Sequence, residues 1–177
     1  LDPDTGALVT SYDAPNDGIV GITYLAEALW VVYSGGNNEK FLEIDPSDGS
    51  FDMDDAENIP FECCDREVDG LTNDGSNLVA IASWEGQESF WGFSTGGDSR
   101  WSRYSEPGDS EFSNGSDALA YRSAKDQYFG AKDEDLFAVN SSIEDVSGFN
   151  WTLDLSGADM ELTALTFDNV NDFIYIA

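Results

Sequence analysis

The sequence predicts an all-β fold, a β-propeller built from four-stranded antiparallel blades. Three observations lead to this prediction: four similar segments recur at nearly constant spacing, short apolar runs alternate with turn residues, and no amphipathic helix of useful length occurs. Four short strands repeated about every 40 to 50 residues are typical of propeller blades. A chain of 177 residues with 41% apolar residues is long and apolar enough to bury such a core.

One aliphatic residue per repeat, here called the anchor, defines the spacing. Each anchor follows a small residue and precedes a small or hydroxyl residue, a turn and an apolar run, as in GITYLAEALWVVYS and ALTFDNVNDFIYIA. The steps between anchors are 49, 48 and 46 residues. The anchors are Ile22, Leu71, Leu119 and Leu165.

The first complete repeat gives the strand order. Its apolar runs are separated by Gly, Asp, Asn, Ser and Pro, which is typical of strands and tight turns. In the turn phrase DPSDG we expect Asp to cap the turn, Pro to preset φ and Gly to take a positive φ. The predicted strands are a over 20–24, b over 29–33, c over 41–45 and d over 50–53.

The repeats predict a single propeller segment of about three whole blades with a part-blade at each end. A second copy of the turn phrase, LDPDTG, places the end of a strand c at 1–6 and a strand d at 7–13, and FIYIA is predicted as a strand b. We therefore expect a piece of a larger propeller, with a closed four-bladed ring as the alternative. The predicted units are a part-blade over 1–17, blades over about 18–66, 67–114 and 115–157, and a part-blade over 158–177.

The combination of an anchored strand, LWV, FLEIDPSDG and a following strand resembles blades of the YVTN, NHL and quinoprotein-like β-propellers. The resemblance extends over nearly the whole chain and implies the fold only. It leaves two functions open. The first is a non-catalytic interaction or structural module of a secreted, cell-surface or extracellular filament protein. The alternative is a propeller enzyme, either a quinoprotein-like oxidoreductase or a carbohydrate-active enzyme, with its active-site residues largely outside this segment.

The charge argues against two classes of partner. Thirty-six acidic and seven basic residues give a formal charge of −29, which would repel a nucleic acid or an anionic membrane. No run of about 18 apolar residues is present, so the sequence predicts a soluble chain. The expected partners are proteins, or copies of itself, bound through blade edges and loops, with glycans as a further ligand class.

A dense acidic stretch, FDMDDAEN, gives the metal candidates Asp52, Asp54 and Asp55. Calcium binds clusters of carboxylate oxygens, so calcium is the cofactor to consider at this site. The alternative is a solvated acidic edge that discourages association between sheets. Apart from calcium, no cofactor is expected.

The adjacent Cys63 and Cys64 are predicted to be oxidised, because the acidic composition and the sequons described below indicate an extracellular protein. They can form a vicinal disulfide, each can bridge elsewhere, or both can remain thiols. A vicinal bond would resemble the one that some quinoprotein dehydrogenases place against their cofactor, but the matching cofactor-binding residues are absent here. Without histidine or a second cysteine pair, the two thiols make no zinc site.

Three sequons predict N-glycosylation and an extracellular or cell-surface location: Asn114, Asn140 and Asn150. We expect Asn114 in a loop between blades, Asn140 at a turn between strands c and d, and Asn150 in a strand d.

For catalysis the sequence offers little. It has no histidine, no GxSxG and no phosphate-binding loop, so an enzyme is less favoured than an interaction module. A propeller glycosidase would use carboxylates and a tyrosine near strand a, where Tyr24, Asp69, Tyr121 and Glu161 lie. The tryptophans are expected mainly in the core, with Trp84 as a candidate platform for stacking a sugar. They are Trp30, Trp84, Trp91, Trp101 and Trp151.

We expect the melting temperature to rise with salt, because screening relieves repulsion among acidic side chains on a small globule. Melting in sodium chloride and in calcium chloride at equal ionic strength separates screening from coordination. Screening follows ionic strength, whereas a calcium site saturates at a defined concentration. A melting temperature that does not change with salt would contradict the role given to the acidic surface, and equal effects of the two cations would contradict the metal site alone.

Overall fold

The computed structural model describes residues 10–15, 18–34, 39–59, 67–84, 87–104, 118–132, 135–142, 144–153 and 164–176. Within these ranges the chain is all-β, with fourteen strands in four antiparallel sheets and two short 3₁₀ helices. No helix in the described ranges has the length and apolar character needed to cross a membrane.

Strands that follow one another in the chain are neighbours in each sheet, as expected for simple antiparallel hairpins. The first sheet contains β1 (Ile19–Leu25), β2 (Ala28–Ser34), β3 (Glu39–Ile44) and β4 (Glu57–Asn58). The second contains β5 (Glu67–Asn73), β6 (Leu78–Trp84), β7 (Gln87–Phe93) and β8 (Ser99–Tyr104). The third contains β9 (Ala118–Arg122), β10 (Gln127–Lys132), β11 (Asp135–Asn140) and β12 (Asp145–Thr152). The fourth contains β13 (Leu165–Asp168) and β14 (Phe173–Ile176).

The predicted turn after strand c is confirmed. Asp45 Oδ1 accepts a hydrogen bond from the Ser47 amide at 2.8 Å, and Gly49 has φ +75°. The backbone closes the turn through Asp45 N–H to Ser50 O at 2.9 Å. Tyr12 packs against Gly49, where an added Cβ would lie 2.3 Å from the tyrosine ring.

The prediction of a strand d over 50–53 is wrong. Residues Met53–Asp55 form a 3₁₀ helix, and the fourth strand is the two-residue β4. The cause is local: Asp52 Oδ1 accepts a hydrogen bond from the Asp54 amide at 2.9 Å, which caps the helical turn. The predicted strand over 7–13 also fails where it is described, since residues 10–13 belong to no strand.

The sheets pack face to face in chain order. The first sheet contributes Trp30, Val32 and Phe41 to a buried layer shared with the second sheet, which contributes Leu71 and Trp91. Within this layer the rings of Phe41 and Phe93 meet edge to face, with centroids 5.2 Å apart. Burial between sheets removes from water the apolar faces that an isolated four-stranded sheet would expose.

The next two interfaces follow the same plan. Ile81 and Phe90 of the second sheet share a buried cluster with Leu119, Tyr128 and Phe137 of the third. On the opposite face of the third sheet, Phe129 and its neighbours pack against the fourth sheet, and the rings of Phe129 and Phe167 stack with centroids 5.4 Å apart.

At the first two interfaces an anchor rests on the small residue of the preceding sheet, and at the third the anchor packs against a cluster that contains the small residue. A Cβ added to Gly21 would lie 2.7 Å from the Leu71 Cβ, and a Cβ added to Gly70 would lie 3.2 Å from the Leu119 Cβ. At the third interface Ala118 shares a buried cluster with Leu165. We call this recurring pair of a small residue and the next sheet's anchor the anchor contact.

Two tryptophans confirm the expected core role. Trp30 is 5% exposed and donates its indole N–H to Leu25 O at 3.1 Å, and Trp91 is fully buried and donates to Ser89 Oγ at 2.9 Å. Trp101 is half-buried, whereas Trp151 is 48% exposed. The side chain of Trp84 lies outside the described part of the structure.

Gly21→Ala is expected to destabilise the protein, because the new methyl group must displace Leu71 or the backbone of β5. Overpacking of this kind costs about 1–3 kcal/mol. Urea unfolding measures the change in the free energy of unfolding. The matched control is Gly96→Ala, where the nearest neighbour of an added Cβ is Ser94 Oγ at 3.9 Å, and we expect a change within about 0.5 kcal/mol. Equal effects of the two variants would contradict the close approach at Gly21.

Candidate functional site

A polar cleft, here called the acidic cleft, lies between the first and second sheets and has a volume of about 650 Å³. Its described lining residues include carboxylates from a strand, a turn, a helix cap and β4, and none of them is basic. The lining residues are Trp30, Glu43, Asp45, Ser50, Phe51, Asp52, Asp55, Glu57 and Thr95.

Local structure places these carboxylates around the cleft. Glu43 is the cross-strand partner of Trp30 in the β2–β3 pair, and Asp45 directly follows β3. Asp52 caps the 3₁₀ helix and Asp55 ends it, before Glu57 begins β4. The cleft therefore combines an acidic rim with the apolar surface of Trp30 and Phe51, and its charge favours cationic over anionic ligands.

Two of the three predicted calcium ligands line this cleft. Asp52 and Asp55 are among its lining residues and Asp54 is not, although all three are exposed. One Asp52 oxygen already accepts the Asp54 amide. The described residues contain no group of three or more Asp, Glu, His or Cys side chains arranged to hold a metal ion. Calcium binding at this cluster stays a prediction.

A second cleft, here called the tyrosine cleft, lies between the second and third sheets and has a volume of about 240 Å³. It combines two phenols, two carboxylates and a guanidinium group. The lining residues are Asp74, Ser76, Asn77, Trp101, Arg103, Tyr121, Asp126, Tyr128 and Ser141.

The tyrosine pair comes from neighbouring strands. Tyr121 and Tyr128 are direct cross-strand partners in the β9–β10 pair, and their ring centroids are 4.9 Å apart. The Tyr121 hydroxyl donates to Asp126 Oδ1 at 2.8 Å, and Asp126 has the left-handed backbone that ends the second 3₁₀ helix. The turn between the two strands thus brings the carboxylate to the phenol.

The other wall of the cleft comes from the second sheet. Trp101 packs on its cross-strand partner Gly92, which leaves room for the indole, and the Arg103 guanidinium lies 5.3 Å from the Trp101 ring centroid. Asp74 Oδ1 accepts the amides of Ser76 and Asn77 in a turn. This carboxylate is therefore held in place by its own backbone.

Both phenols stay protonated at neutral pH. Burial, the hydrogen bond to Asp126 and the charge of Asp126 raise the pKa of Tyr121 well above its usual range. Burial and the charge of Asp74 do the same to the pKa of Tyr128. The two hydroxyl groups can donate or accept hydrogen bonds with a polar ligand, but they are too weakly acidic to supply a phenolate at neutral pH.

Other predicted site residues do not line either cleft. Tyr24 is 56% exposed on β1. Asp69 is half-buried on β5, with its Oδ2 excluded from solvent. Of the predicted catalytic candidates, only Tyr121 lies in one of the two clefts. Glu161 lies outside the described residues.

The cysteine and sequon predictions are described only in part. Asn140 ends β11, where its Oδ1 accepts the amides of Ser142 and Glu144 and its Nδ2 donates to Glu144 Oε2 at 2.9 Å. This agrees with the predicted turn after strand c. Asn150 lies in β12, but its side chain is outside the described part. Cys63, Cys64 and Asn114 lie outside the described residues.

Most of the tyrosine cleft was not predicted from the sequence. Tyr128, Arg103 and Asp126 come from two repeats and meet only when the second and third sheets stack. The pairing of Tyr121 with Tyr128 could have been predicted from the turn between them. In a short hairpin the residues at equal distance from the turn are cross-strand partners.

Comparisons with known proteins give fold likeness only. No family model matches the chain, and no curated protein matches it. One similar solved structure is the computationally designed Ika4 protein, with 16% identity, a TM-score of 0.45, and coverage of 97% of this chain and 98% of that one. Another is LS24, a seed albumin from Lathyrus sativus, with 11% identity, a TM-score of 0.50, and coverage of 89% and 81%.

Asp126→Asn is expected to let Tyr121 ionise at a lower pH, because the variant removes the negative charge beside the hydroxyl. The wild-type pKa is raised by folding, so the contribution of Tyr121 to stability is complete below the ordinary tyrosine value of about 10 and is lost as the pH rises above it. Alkaline titration of the phenolate absorbance band measures the shift. Asp98→Asn, which removes an exposed carboxylate from another turn, is the control. Identical titrations of all three proteins would contradict the Tyr121–Asp126 interaction.

Proposed function

We propose that the four sheets are consecutive blades of a β-propeller, and that the chain is a non-catalytic interaction or structural module of a secreted or cell-surface protein. The propeller arrangement is supported by the position of the first strand in each sheet. Strands β1, β5, β9 and β13 each form a sheet edge, and each lies beside the next in the series. In a propeller the first strands of the blades line the central axis.

The sequence supports the same arrangement. The proposed blades 18–66, 67–114 and 115–157 each contain one four-stranded sheet, and the part-blade 158–177 contains the two-stranded one. The anchor contacts join the first strands at nearly constant sequence spacing. The likeness of FLEIDPSDG to YVTN, NHL and quinoprotein-like blades favours the same interpretation.

The interaction function is carried by one observation: both ends of the sheet series expose apolar side chains. Ile22 and Tyr24 on the first sheet are 59% and 56% exposed, and Phe173 and Tyr175 on the last are 62% and 52% exposed. Exposed apolar patches of this kind mark interaction sites on soluble proteins.

The proposed location is extracellular. A formal charge of −29 suits a salt-rich environment, and Asn140 lies in a surface turn as a glycosylation site requires. Oxidised Cys63 and Cys64 belong to the same proposal. Protein partners are favoured over nucleic acid and anionic membrane because of the charge.

The tyrosine cleft favours a second candidate, the propeller enzyme. It brings together phenols, carboxylates and a guanidinium group, which the acidic cleft does not. Those groups can hydrogen-bond a sugar or another polyhydroxyl ligand, and Trp101 offers an apolar surface beside them. In this alternative the reacting groups would come largely from outside the segment.

Two assays on the purified chain test the proposed function. The immobilised chain is exposed to the extracellular fraction of its source, and retained proteins are identified and rebound in purified form. Turnover is measured with glycosides and with alcohol substrates plus a quinone cofactor. We expect saturable binding of a purified protein partner and no turnover. Turnover that Tyr121→Phe abolishes would overturn the non-catalytic proposal and favour the enzyme.

A further inference from the structure

Ile22 departs from the pattern of the other anchors. Leu71 and Leu119 are 3% and 4% exposed, whereas Ile22, at the same position of the repeat, is 59% exposed. Leu71 and Leu119 are buried because each rests on a small residue of the preceding sheet. Ile22 lies on the first described sheet, and no described sheet precedes it to supply the equivalent contact. A large aliphatic side chain is exposed where the repeat normally buries one.

The exposed face around Ile22 is confined to the first strand. Ile22 is the cross-strand partner of Val31 and therefore shares its face, opposite the face on which Gly21 meets Leu71. Val31 and Leu42 on that face are 1% exposed. The open area thus follows β1, the strand that carries the anchor contact at the next interface.

The complementary half of an anchor contact is exposed at the other end of the series. Ala164 precedes the anchor Leu165, just as Gly21 precedes Ile22 and Ala118 precedes Leu119. Ala164 is exposed, and so are Thr166 and Tyr175, a cross-strand pair on the face turned away from the third sheet. At the third interface an alanine, Ala118, already accepts an anchor, Leu165. A methyl group is therefore small enough for this role.

We propose that two copies of this chain associate head to tail, with Ile22 of one copy packed on Ala164 of the other. The inference rests on the proposed interaction function and names its partner as a second copy. Continuity supports this contact: the described sheets repeat one type of interface three times, and the two complementary halves of that interface are exposed at the ends of the described series. Because the halves lie on different surfaces, the contact is heterologous and joins copies into a closed ring or a longer series.

The charge sets the conditions for association. Each copy has a formal charge of −29, so repulsion opposes the contact at low salt. In about 1 M sodium chloride the screening length falls to roughly 3 Å, so the repulsion is largely removed and apolar burial drives the contact. Association is therefore expected to strengthen with salt, because salt weakens the repulsion between the acidic copies and leaves the apolar contact intact.

Sedimentation velocity of the 177-residue chain over a range of concentrations tests the proposal. The wild type is expected to form species of twice the monomer mass or larger multiples. Ile22→Glu removes the anchor, and Ala164→Trp fills the receiving position. Each variant alone is expected to self-associate with an affinity at least about tenfold lower than that of the wild type. Mixed together, they are expected to form a one-to-one complex, because each retains the half that the other has lost.

The matched control is Val170→Glu, which adds the same charge at a residue that is 91% exposed in the turn between β13 and β14. This variant is expected to associate like the wild type. Thermal melting checks that all variants fold.

A wild type that stays monomeric at all concentrations would overturn the proposal, and so would variants that associate like the wild type or a mixture that forms no complex. A monomer destabilised by Ile22→Glu would also overturn it, by indicating that this face is covered within one chain. The capture assay for the proposed function counts only partners other than this chain. Its result is therefore independent of whether the chain associates with itself.

Discussion

The spacing between sheets depends on one constraint: an anchor leucine must approach the backbone of the preceding sheet at a position that has no room for a larger side chain. At Gly21 and Gly70 an added Cβ would come within 2.7 Å and 3.2 Å of the next anchor. This approach lets the first strands of neighbouring sheets lie side by side. The aromatic residues Trp91, Phe90 and Phe129 fill the space between the sheets. The two clefts open between neighbouring sheets, so their geometry follows from the same constraint.

The acidic composition also serves the fold. Several aspartates accept backbone amides in turns, including Asp45, Asp52 and Asp74. Hydrogen bonds from Ser50 lower the pKa of Asp48, and hydrogen bonds from Asn171 and Val170 lower the pKa of Asp168. Carboxylates with lowered pKa values contribute stability above their unfolded pKa that is lost as the pH falls. Part of the charge is therefore the consequence of many short strands, each of which needs a turn.

The sequence allowed the strands of the first sheet to be predicted closely as far as Ile44, because apolar alternation and turn residues are local signals. It failed at 50–53, where the side chain of Asp52 caps a 3₁₀ helix and prevents an extended strand. The tyrosine cleft could not be predicted, because Arg103 and Tyr128 meet only after two sheets have packed. The exposure of Ile22 could not be predicted from the sequence either, since the residues around it match those around the buried anchors. Local signals thus identify the repeat, while contacts between repeats determine the sites.

The most direct test of this account is a double-mutant cycle between Gly21 and Leu71, measured as free energies of unfolding in urea. A Cβ added at position 21 would lie 2.7 Å from both the Cβ and the backbone N of Leu71. Leu71→Gly removes that Cβ, so Gly21→Ala is expected to be less destabilising in its presence, whereas Leu71→Ala keeps the Cβ and serves as the control. We predict that the double variant loses less stability than the two single variants together, with a coupling of about 0.5–3 kcal/mol. Additive losses would contradict the anchor contact, and with it the stacking of sheets on which the proposed propeller depends.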